Sequence, residues 1–199
     1  MLRQYVVIAG NIGLGKTTLV RYISQAVPGA VGFIEERSED LASYYANPHR
    51  FAFRNQVEYT VQYLKQAVDI ARSEATLVVQ DRSIYDTHMV FSRLHLEHRT
   101  ISGAEYEILQ RAYALANRLV QPDLMVLLDA SPEFAHHRMM RRGLTEERNV
   151  HLKYLATLRA AYLAWFATLD GHRRLFIESE GRSVSSLCAQ VVSALESQV

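Results

Sequence analysis

The residues with the clearest chemical use form a glycine-rich stretch near the start of the chain. The stretch reads Gly10, Asn11, Ile12, Gly13, Leu14, Gly15, Lys16, Thr17 and Thr18. An apolar run over residues 5–9 precedes it and a helical pattern begins at Thr17, which is the context that a phosphate-binding loop requires. Backbone N–H groups of such a loop converge on a phosphate, and the helix amino terminus adds a favourable dipole. The stretch therefore predicts a nucleoside triphosphate site, with Lys16 on the β- and γ-phosphates and Thr17 as a ligand of Mg²⁺.

Charged residues follow the next two predicted strands. Glu35 and Glu36 close the second strand, where a carboxylate could accept a proton from an attacking hydroxyl. After the third strand, Asp81 could ligate Mg²⁺ directly or through water, and Arg82 could clamp phosphoryl oxygens. Taken alone, the first pair also fits a solvated strand end, and the second a helix cap with a surface salt bridge. Beside a phosphate-binding loop, the functional interpretation of Asp81 and Arg82 is favoured.

A basic helix end lies later in the chain. Arg138 and Arg142 are four residues apart, so they share one helical face, and Gly143 follows them. This pattern predicts a lid over residues 138–148 that closes on the triphosphate. A solvated, charged helix end is the alternative interpretation.

Short apolar runs alternate with helical patterns along the chain, which predicts an α/β fold around a parallel sheet. Strands are predicted over residues 5–9, 31–34, 76–79 and 124–128, with a weaker fifth over 175–177. Helices are predicted over residues 17–26, 48–72, 84–96, 102–120, 132–141, 150–169 and 183–197. Ligands of such sheets bind beyond the carboxyl ends of the strands, so the charged residues are expected to meet at one edge.

Composition limits the class of protein. The chain has 199 residues, enough for one core, and we expect a single domain over residues 1–199. The formal charge of +1 gives no reason to expect a nucleic-acid partner, and the single cysteine, Cys188, excludes an intrachain disulfide. The apolar run over residues 5–9 is too short for a signal segment or a membrane span. We therefore expect a soluble cytoplasmic protein with no membrane partner.

Taken together, these motifs resemble those of the deoxynucleoside kinase family over residues 5–180. Besides the phosphate loop, Glu35-Glu36 and the lid arginines, the resemblance rests on Tyr45-x-x-Pro48-x-Arg50-Phe51, Gln56, Asp81-Arg82-Ser83-Ile84-Tyr85 and Gly143-x-x-Glu146-Glu147. It implies a P-loop kinase fold, a five-stranded parallel sheet flanked by helices with an arginine-bearing lid, assembled as a homodimer. It also implies an enzyme of nucleotide salvage that uses Mg²⁺ and moves the γ-phosphate of ATP to the 5′-hydroxyl of a deoxyribonucleoside.

The same resemblance assigns roles by position. Glu36 matches the general base, with Glu35 as the alternative register, and Arg82 matches the arginine beside the 5′-hydroxyl. With Lys16 these form the predicted catalytic group. The remaining matches are Asp81 near Mg²⁺, Gln56 at the base edge, Tyr45 and Glu147 at the sugar 3′-hydroxyl, and Arg138 and Arg142 in the lid.

The sequence defines the preferred base less closely. Short bacterial relatives are mostly deoxypurine kinases, which favours deoxyadenosine or deoxyguanosine. In many relatives an arginine–carboxylate pair reads the base beside the glutamine, and here Tyr63 and Thr87 take those two positions. A neutral hydroxyl can donate or accept a hydrogen bond, so it rejects a wrong base only weakly. We therefore expect Thr87 to contact the base and the use of bases to be broad.

Two other functions stay open at this point. A nucleoside-monophosphate kinase of the thymidylate type shares the sheet and the loop, and Arg37, Arg50 and Arg54 could meet the phosphate of its acceptor. That acceptor is already ionised and needs no base, so Glu36 argues against it. The third possibility is a nucleotide-binding subunit without catalysis. Leu144 alone supports it, because the family's lid carries an arginine at that position.

Overall fold

Five parallel strands form one sheet in the computed structural model, which describes residues 4–169 and 173–196. The strands are β1 Gln4–Gly10, β2 Ala30–Phe33, β3 Leu77–Asp81, β4 Leu124–Asp129 and β5 Arg173–Glu178. Their spatial order is β2-β3-β1-β4-β5. The predicted parallel α/β fold is confirmed, and each predicted strand is present with slightly different bounds.

The centre of the sheet is apolar because both of its faces are covered. β3 and β4 are buried along their whole length and β1 from its second residue, whereas β2 at the sheet edge is only partly buried. Successive side chains of a strand point to opposite faces, yet Val6, Val7, Ile8 and Ala9 all have 0% exposure. The unbroken apolar runs of the sequence are therefore the strands that a doubly covered sheet needs.

Helices connect the strands and cover the sheet. They are α1 Lys16–Ala26, α2 Leu41–Ala46, α3 Pro48–Arg72, α4 Ile84–Asp86, α5 Arg93–Glu97, α6 Gly103–Leu119, α7 Pro132–Arg142, α8 Leu152–Ala167 and α9 Val184–Glu196. Local chemistry fixes where two of them begin, because Asn47 caps α3 ahead of Pro48, and Ser102 and Glu105 form a capping box on α6. No helix within the described residues is long and apolar enough to cross a membrane.

Three segments differ from the predicted helices. The helix predicted over residues 84–96 is interrupted by a π-helical turn, Thr87–Ser92, which lies between α4 and α5. Turns of this kind occur often at functional sites. The helix α2 and a 3₁₀ turn, Thr145–Glu147, were not predicted, because each is too short to show a periodic pattern.

The strand register brings the charged residues to one edge of the sheet. Ile8 of β1 pairs with Asp81 of β3, so the phosphate loop leaves β1 beside Asp81 and Arg82. Phe33 of β2 pairs with Gln80 of β3. The residues that follow β2 in the chain therefore lie near Arg82, which follows β3. The residues that the sequence singled out after the first three strands therefore converge at the carboxyl edge, as expected for this class of fold.

Candidate active site

A cavity of about 620 Å³ lies at the carboxyl edge of the sheet. The predicted site residues that line it are Ile12, Gly13, Gly15, Lys16, Thr17, Thr18, Glu36, Tyr45, Gln56, Asp81, Arg82, Thr87, Arg138, Arg142 and Glu147. Of the predicted loop residues, Gly10, Asn11 and Leu14 are buried and do not belong to this lining. The structure thus brings residues that are far apart in the chain to one concave site, which is where small ligands bind.

The shape of the phosphate loop favours glycine at Gly10, Gly13 and Gly15, all of which have positive φ angles. Gly10 has a φ of 136°, and a Cβ there would collide with the carbonyl oxygen of Leu128. Gly15 has a φ of 84°, and a Cβ there would lie 2.9 Å from a guanidinium nitrogen of Arg138. Only glycine tolerates such positions, and the close approach brings a lid arginine directly against the loop.

Lys16 and Asn11 have different roles in this loop. The ammonium of Lys16 donates to the carbonyl oxygen of Asn11 at 2.7 Å. The side chain of Asn11 donates to the Leu155 carbonyl and accepts from the Ile12 N–H, both at 2.8 Å, so Asn11 holds the shape of the loop. Burial, followed by the charge of Arg82, lowers the pKa of Lys16 to about 7. A polyphosphate beside this ammonium would raise that pKa again.

Thr17 and Asp81 form the candidate metal site. The Thr17 hydroxyl donates to the Asp81 carboxylate, and both residues line the cavity beside Lys16. Burial raises the pKa of Asp81, although the charge of Lys16 opposes this shift. Mg²⁺ prefers oxygen ligands and takes one or two from the protein together with phosphate oxygens and water, so this pair fits it. In the described ranges no cluster of three histidine, cysteine or acidic side chains could hold a metal by itself.

Glu35 is the centre of a sheltered ionic network. Arg82 Nη1 donates to both of its carboxylate oxygens, at 2.8 and 3.0 Å, and the Tyr63 hydroxyl donates to Oε2 at 2.5 Å. Burial by itself would raise the pKa of Glu35. The charge of Arg82, the Tyr63 hydrogen bond and the charge of Lys16 together outweigh burial and hold that pKa below its usual value. Glu35 is therefore an ionised carboxylate, and it lines the cavity in which an acceptor would bind. A general base must meet both conditions.

Arg82 has a strained backbone conformation. Its φ is 55°, a region that few residues other than glycine occupy, and its N–H donates to the Ile8 carbonyl at 3.0 Å. The guanidinium carbon lies 5.3 Å from the ring centre of Phe91. The buried Nε of Arg82 has no hydrogen-bond partner among the residues that the structure describes. Strain of this kind is typical of functional sites, and because Glu35 engages only Nη1, the remaining guanidinium donors give Arg82 capacity for an anion as well.

The structure places the other of the two adjacent glutamates, Glu35, beside Arg82. Glu36 is exposed, its N–H donates to the side-chain oxygen of Gln62 at 3.1 Å, and its carbonyl accepts from the same amide at 3.0 Å. These two bonds fix the segment after β2 with Glu35, rather than Glu36, on Arg82. Two adjacent glutamates after a strand cannot be told apart from sequence, because the choice depends on how the chain turns as it leaves the sheet. We therefore move the candidate base from Glu36 to Glu35.

The lid contributes to both ends of the cavity. Arg142 Nη2 donates to the two carboxylate oxygens of Glu147, at 2.5 and 2.7 Å, and Glu147 is only 4% exposed. Arg138 instead lies against Gly15 of the phosphate loop. One predicted lid arginine thus meets the phosphate site, while the other holds the carboxylate that was predicted to bind the sugar. Tyr45, the predicted partner of Glu147 at the sugar, lines the same cavity.

The rest of the lining comes from α3, the π-helical turn and neighbouring segments. Gln56 and Thr87 both line the cavity, and the Ser92 hydroxyl donates to Gln56 Oε1 at 3.2 Å, which orients the amide. The lining also includes residues that the sequence did not assign to the kinase site: Arg21, Ile34, Arg37, Leu41, Tyr44, Asn55, Tyr59, Phe91 and Tyr154. Tyr59 lies four residues before Tyr63 on α3, and this aromatic pair on one helical face could have indicated it. Phe91 depends on the π-helical turn and gave no sequence signal.

Comparisons with known proteins point to one family. The family model for deoxynucleoside kinases matches residues 6–195. A deoxyadenosine/deoxycytidine kinase of Bacillus subtilis is 25% identical over 167 residues, which cover 81% of this chain and 76% of that protein. A deoxyadenosine kinase of Dictyostelium discoideum is 30% identical over 161 residues, 79% of this chain and 64% of that protein. A solved deoxyadenosine kinase from M. mycoides, with bound dATP, has the same fold, with a TM-score of 0.82 over 98% of this chain and all of that chain, at 20% identity.

Proposed function

The chain belongs to the deoxynucleoside kinase family, and we propose that it moves the γ-phosphoryl group of ATP to the 5′-hydroxyl of a deoxyribonucleoside, with Glu35 as the general base. One observation carries the choice of Glu35. Its ionised carboxylate is held by Arg82 and Tyr63 in the cavity that also contains Lys16 and the phosphate loop. A sugar hydroxyl is a weak nucleophile at neutral pH, so a positioned carboxylate is the group that this reaction needs.

The reaction is a single displacement at the γ-phosphorus. Glu35 accepts the proton of the 5′-hydroxyl as the new O–P bond forms, while the bond from the γ-phosphorus to the bridging oxygen breaks and ADP leaves. Lys16 and the N–H groups of the loop neutralise charge on the phosphates. Arg82 holds Glu35 with Nη1 and has other guanidinium donors left for a phosphoryl oxygen. Arg138, against the loop, supplies a further cation in place before reaction, where such charges stabilise the transition state most.

We assign Thr17 and Asp81 to Mg²⁺, because their oxygens adjoin each other and the phosphate loop. When bound, the ion would neutralise charge on the β- and γ-phosphates. The pair supplies one neutral and one anionic oxygen, so phosphate oxygens and water must complete the coordination.

At the acceptor end, Tyr45 and Glu147 are proposed to hold the sugar 3′-hydroxyl. The ion pair with Arg142 orients the Glu147 carboxylate, whose oxygens can accept a hydrogen bond from the sugar. Gln56 is proposed to read the base edge, with Thr87 nearby on the π-helical turn. Because Thr87 is neutral and the hydroxyl of Tyr63 is engaged with Glu35, discrimination among bases should be modest. Deoxyadenosine and deoxyguanosine are the proposed main substrates, with some use of a pyrimidine deoxynucleoside.

The assembly is proposed to be a homodimer through α3 and α6. On α6 the side chains of Ile108, Leu115 and Leu119 are 56%, 57% and 47% exposed and share one face of the helix, and Val61 of α3 is 59% exposed. An apolar stripe of this kind is unusual on a monomer. Sedimentation should give a dimer for the native chain and a monomer for Ile108→Lys with Leu115→Lys. A native monomer at assay concentration would contradict the assignment.

Radiolabelled ATP tests the activity directly. The protein is incubated with ATP labelled at the γ-position and, in separate reactions, with each of the four deoxynucleosides or their monophosphates. We expect label in deoxynucleoside monophosphates and none in diphosphates. Label only in a diphosphate would favour the thymidylate-type kinase, and no transfer to any acceptor would favour a subunit without catalysis.

A further inference from the structure

Asn55 is a buried polar residue that the proposed mechanism does not use. It lies on α3 directly before Gln56, is 2% exposed and lines the cavity. Its Nδ2 has no hydrogen-bond partner among the residues that the structure describes. Buried amide groups are nearly always paired, because leaving one unpaired costs its desolvation free energy. Because the residue that carries this donor lines the cavity, a ligand bound there is the candidate partner of Nδ2.

The position of the donor within the cavity indicates which part of the ligand it meets. Among the residues that the structure describes, Arg82 is the other lining residue with a buried, unpaired donor, its Nε, and we assign Arg82 to the phosphoryl-transfer end. Asn55 is instead the neighbour of Gln56, whose amide the Ser92 hydroxyl already orients. The side chains of Asn55 and Tyr59 are four residues apart and share one face of α3, and both line the cavity. The wall around Asn55 is thus the wall around the proposed base reader.

We propose that Asn55 is a second base-reading residue, whose Nδ2 donates a hydrogen bond to an acceptor atom of the nucleobase, a ring nitrogen or a carbonyl oxygen. The inference rests on the proposed function, because it requires a deoxynucleoside in this cavity. Asn55 and Gln56 would then be two adjacent amide side chains of α3 that contact the base. Asn55 also adds an amide donor to a site where Thr87 can either donate or accept.

The test combines variants of the protein with variants of the substrate. Asn55→Leu keeps nearly the same shape and removes the amide, and Asn55→Asp keeps the shape but replaces the donor with an acceptor. Thr60→Val is the matched control, because Thr60 is buried on the same helix but does not line the cavity. Each protein is assayed with ATP and the four deoxynucleosides, and with 2′-deoxyadenosine analogues in which one ring nitrogen at a time is replaced by carbon.

The expected results separate ligand binding from structural support. For Asn55→Leu, kcat/KM for the nucleoside should fall about 10- to 100-fold, the range for an unpaired hydrogen-bonding group, with the KM for ATP unchanged. The melting temperature of the unliganded variant should be unchanged or higher, since a buried unpaired donor has been removed. One analogue lacks the ring nitrogen that accepts from Asn55. With that analogue in place of deoxyadenosine, kcat/KM should fall for the native protein but should not fall further for Asn55→Leu. Thr60→Val should behave as the native protein does with every substrate.

Three results would overturn the inference. One is an Asn55→Leu variant with native kcat/KM for all four deoxynucleosides. The second is an Asn55→Asp variant with native activity, which would mean that the Nδ2 donor is not needed. The third is a native protein that uses every analogue equally well, a measurement that requires no variant to fold. If the native protein phosphorylates no deoxynucleoside at all, the proposed function itself fails, which is a distinguishable outcome.

Discussion

The two ends of the cavity are built in different ways. The phosphate end is built around one continuous stretch of chain, Gly10 to Thr17, to which Asp81 and Arg138 add side chains from other segments. The acceptor end is assembled from side chains that are distant in sequence, including Glu35, Gln56 and Glu147. Every nucleoside triphosphate presents the same phosphates, so a fixed backbone cradle serves all of them. Acceptors differ in sugar and base. Because the acceptor end is made of separate side chains, single substitutions can alter its specificity.

The largest expected effect is at the acceptor end, in Glu35→Gln. The amide cannot take the proton of the 5′-hydroxyl, so turnover should fall about 10²- to 10⁴-fold, with little change in nucleoside binding. Glu36→Gln is the matched control, because Glu36 is exposed and interacts with Gln62 through its backbone. Steady-state kinetics with both variants checks the assignment. Loss in the Glu36 variant with retention in the Glu35 variant would restore the register that the sequence favoured.

A smaller effect is expected from Tyr63→Phe, which removes one hydrogen bond from Glu35 but keeps the ring. That hydrogen bond helps to hold the pKa of Glu35 down, so without it the pKa rises and less carboxylate is ionised at acidic pH. The acidic limb of the kcat/KM profile should therefore move to higher pH, and turnover should fall by about tenfold, the scale of a hydrogen bond to a charged group. Tyr59→Phe is the control, since the Tyr59 ring stacks on Tyr63 but makes no hydrogen bond to Glu35. If the two profiles coincide, Tyr63 does not position the base.

The smallest expected effect is at the phosphate end, and it is measured on ATP binding alone, without an acceptor. The pKa of Lys16 is lowered to about 7 in the unliganded protein, chiefly by burial, and bound phosphates should raise it. ATP binding at pH 8 should then take up close to one proton, and affinity for ATP should weaken as pH rises above 7. Calorimetry in two buffers of different ionisation enthalpy measures this uptake. In Lys16→Arg, whose guanidinium does not titrate, uptake should vanish, and equal uptake in both proteins would assign the proton to another group.

Much of the fold could be predicted from the sequence because its signals are local. The apolar runs, the Pro48 and Ser102 helix starts and the glycine-rich loop each identify an element without knowledge of any other. The irregular parts of the site were not predictable in this way. The π-helical turn Thr87–Ser92 has the same apolar pattern as a regular helix, and its extra residue per turn is stabilised by packing against α3, α6 and α8.

By itself the sequence determined the class of chemistry: a phosphate loop on a parallel sheet, with acidic and basic residues at the strand ends. Those features depend on residue types at short spacing, so they can be read along the chain. Only the tertiary structure decided which glutamate meets Arg82, that Arg142 pairs with Glu147, and that Asn55 has an unpaired donor in the cavity wall. These facts depend on side-chain direction and on contacts between distant segments. Packing of the whole domain sets both, and no single stretch of sequence contains them.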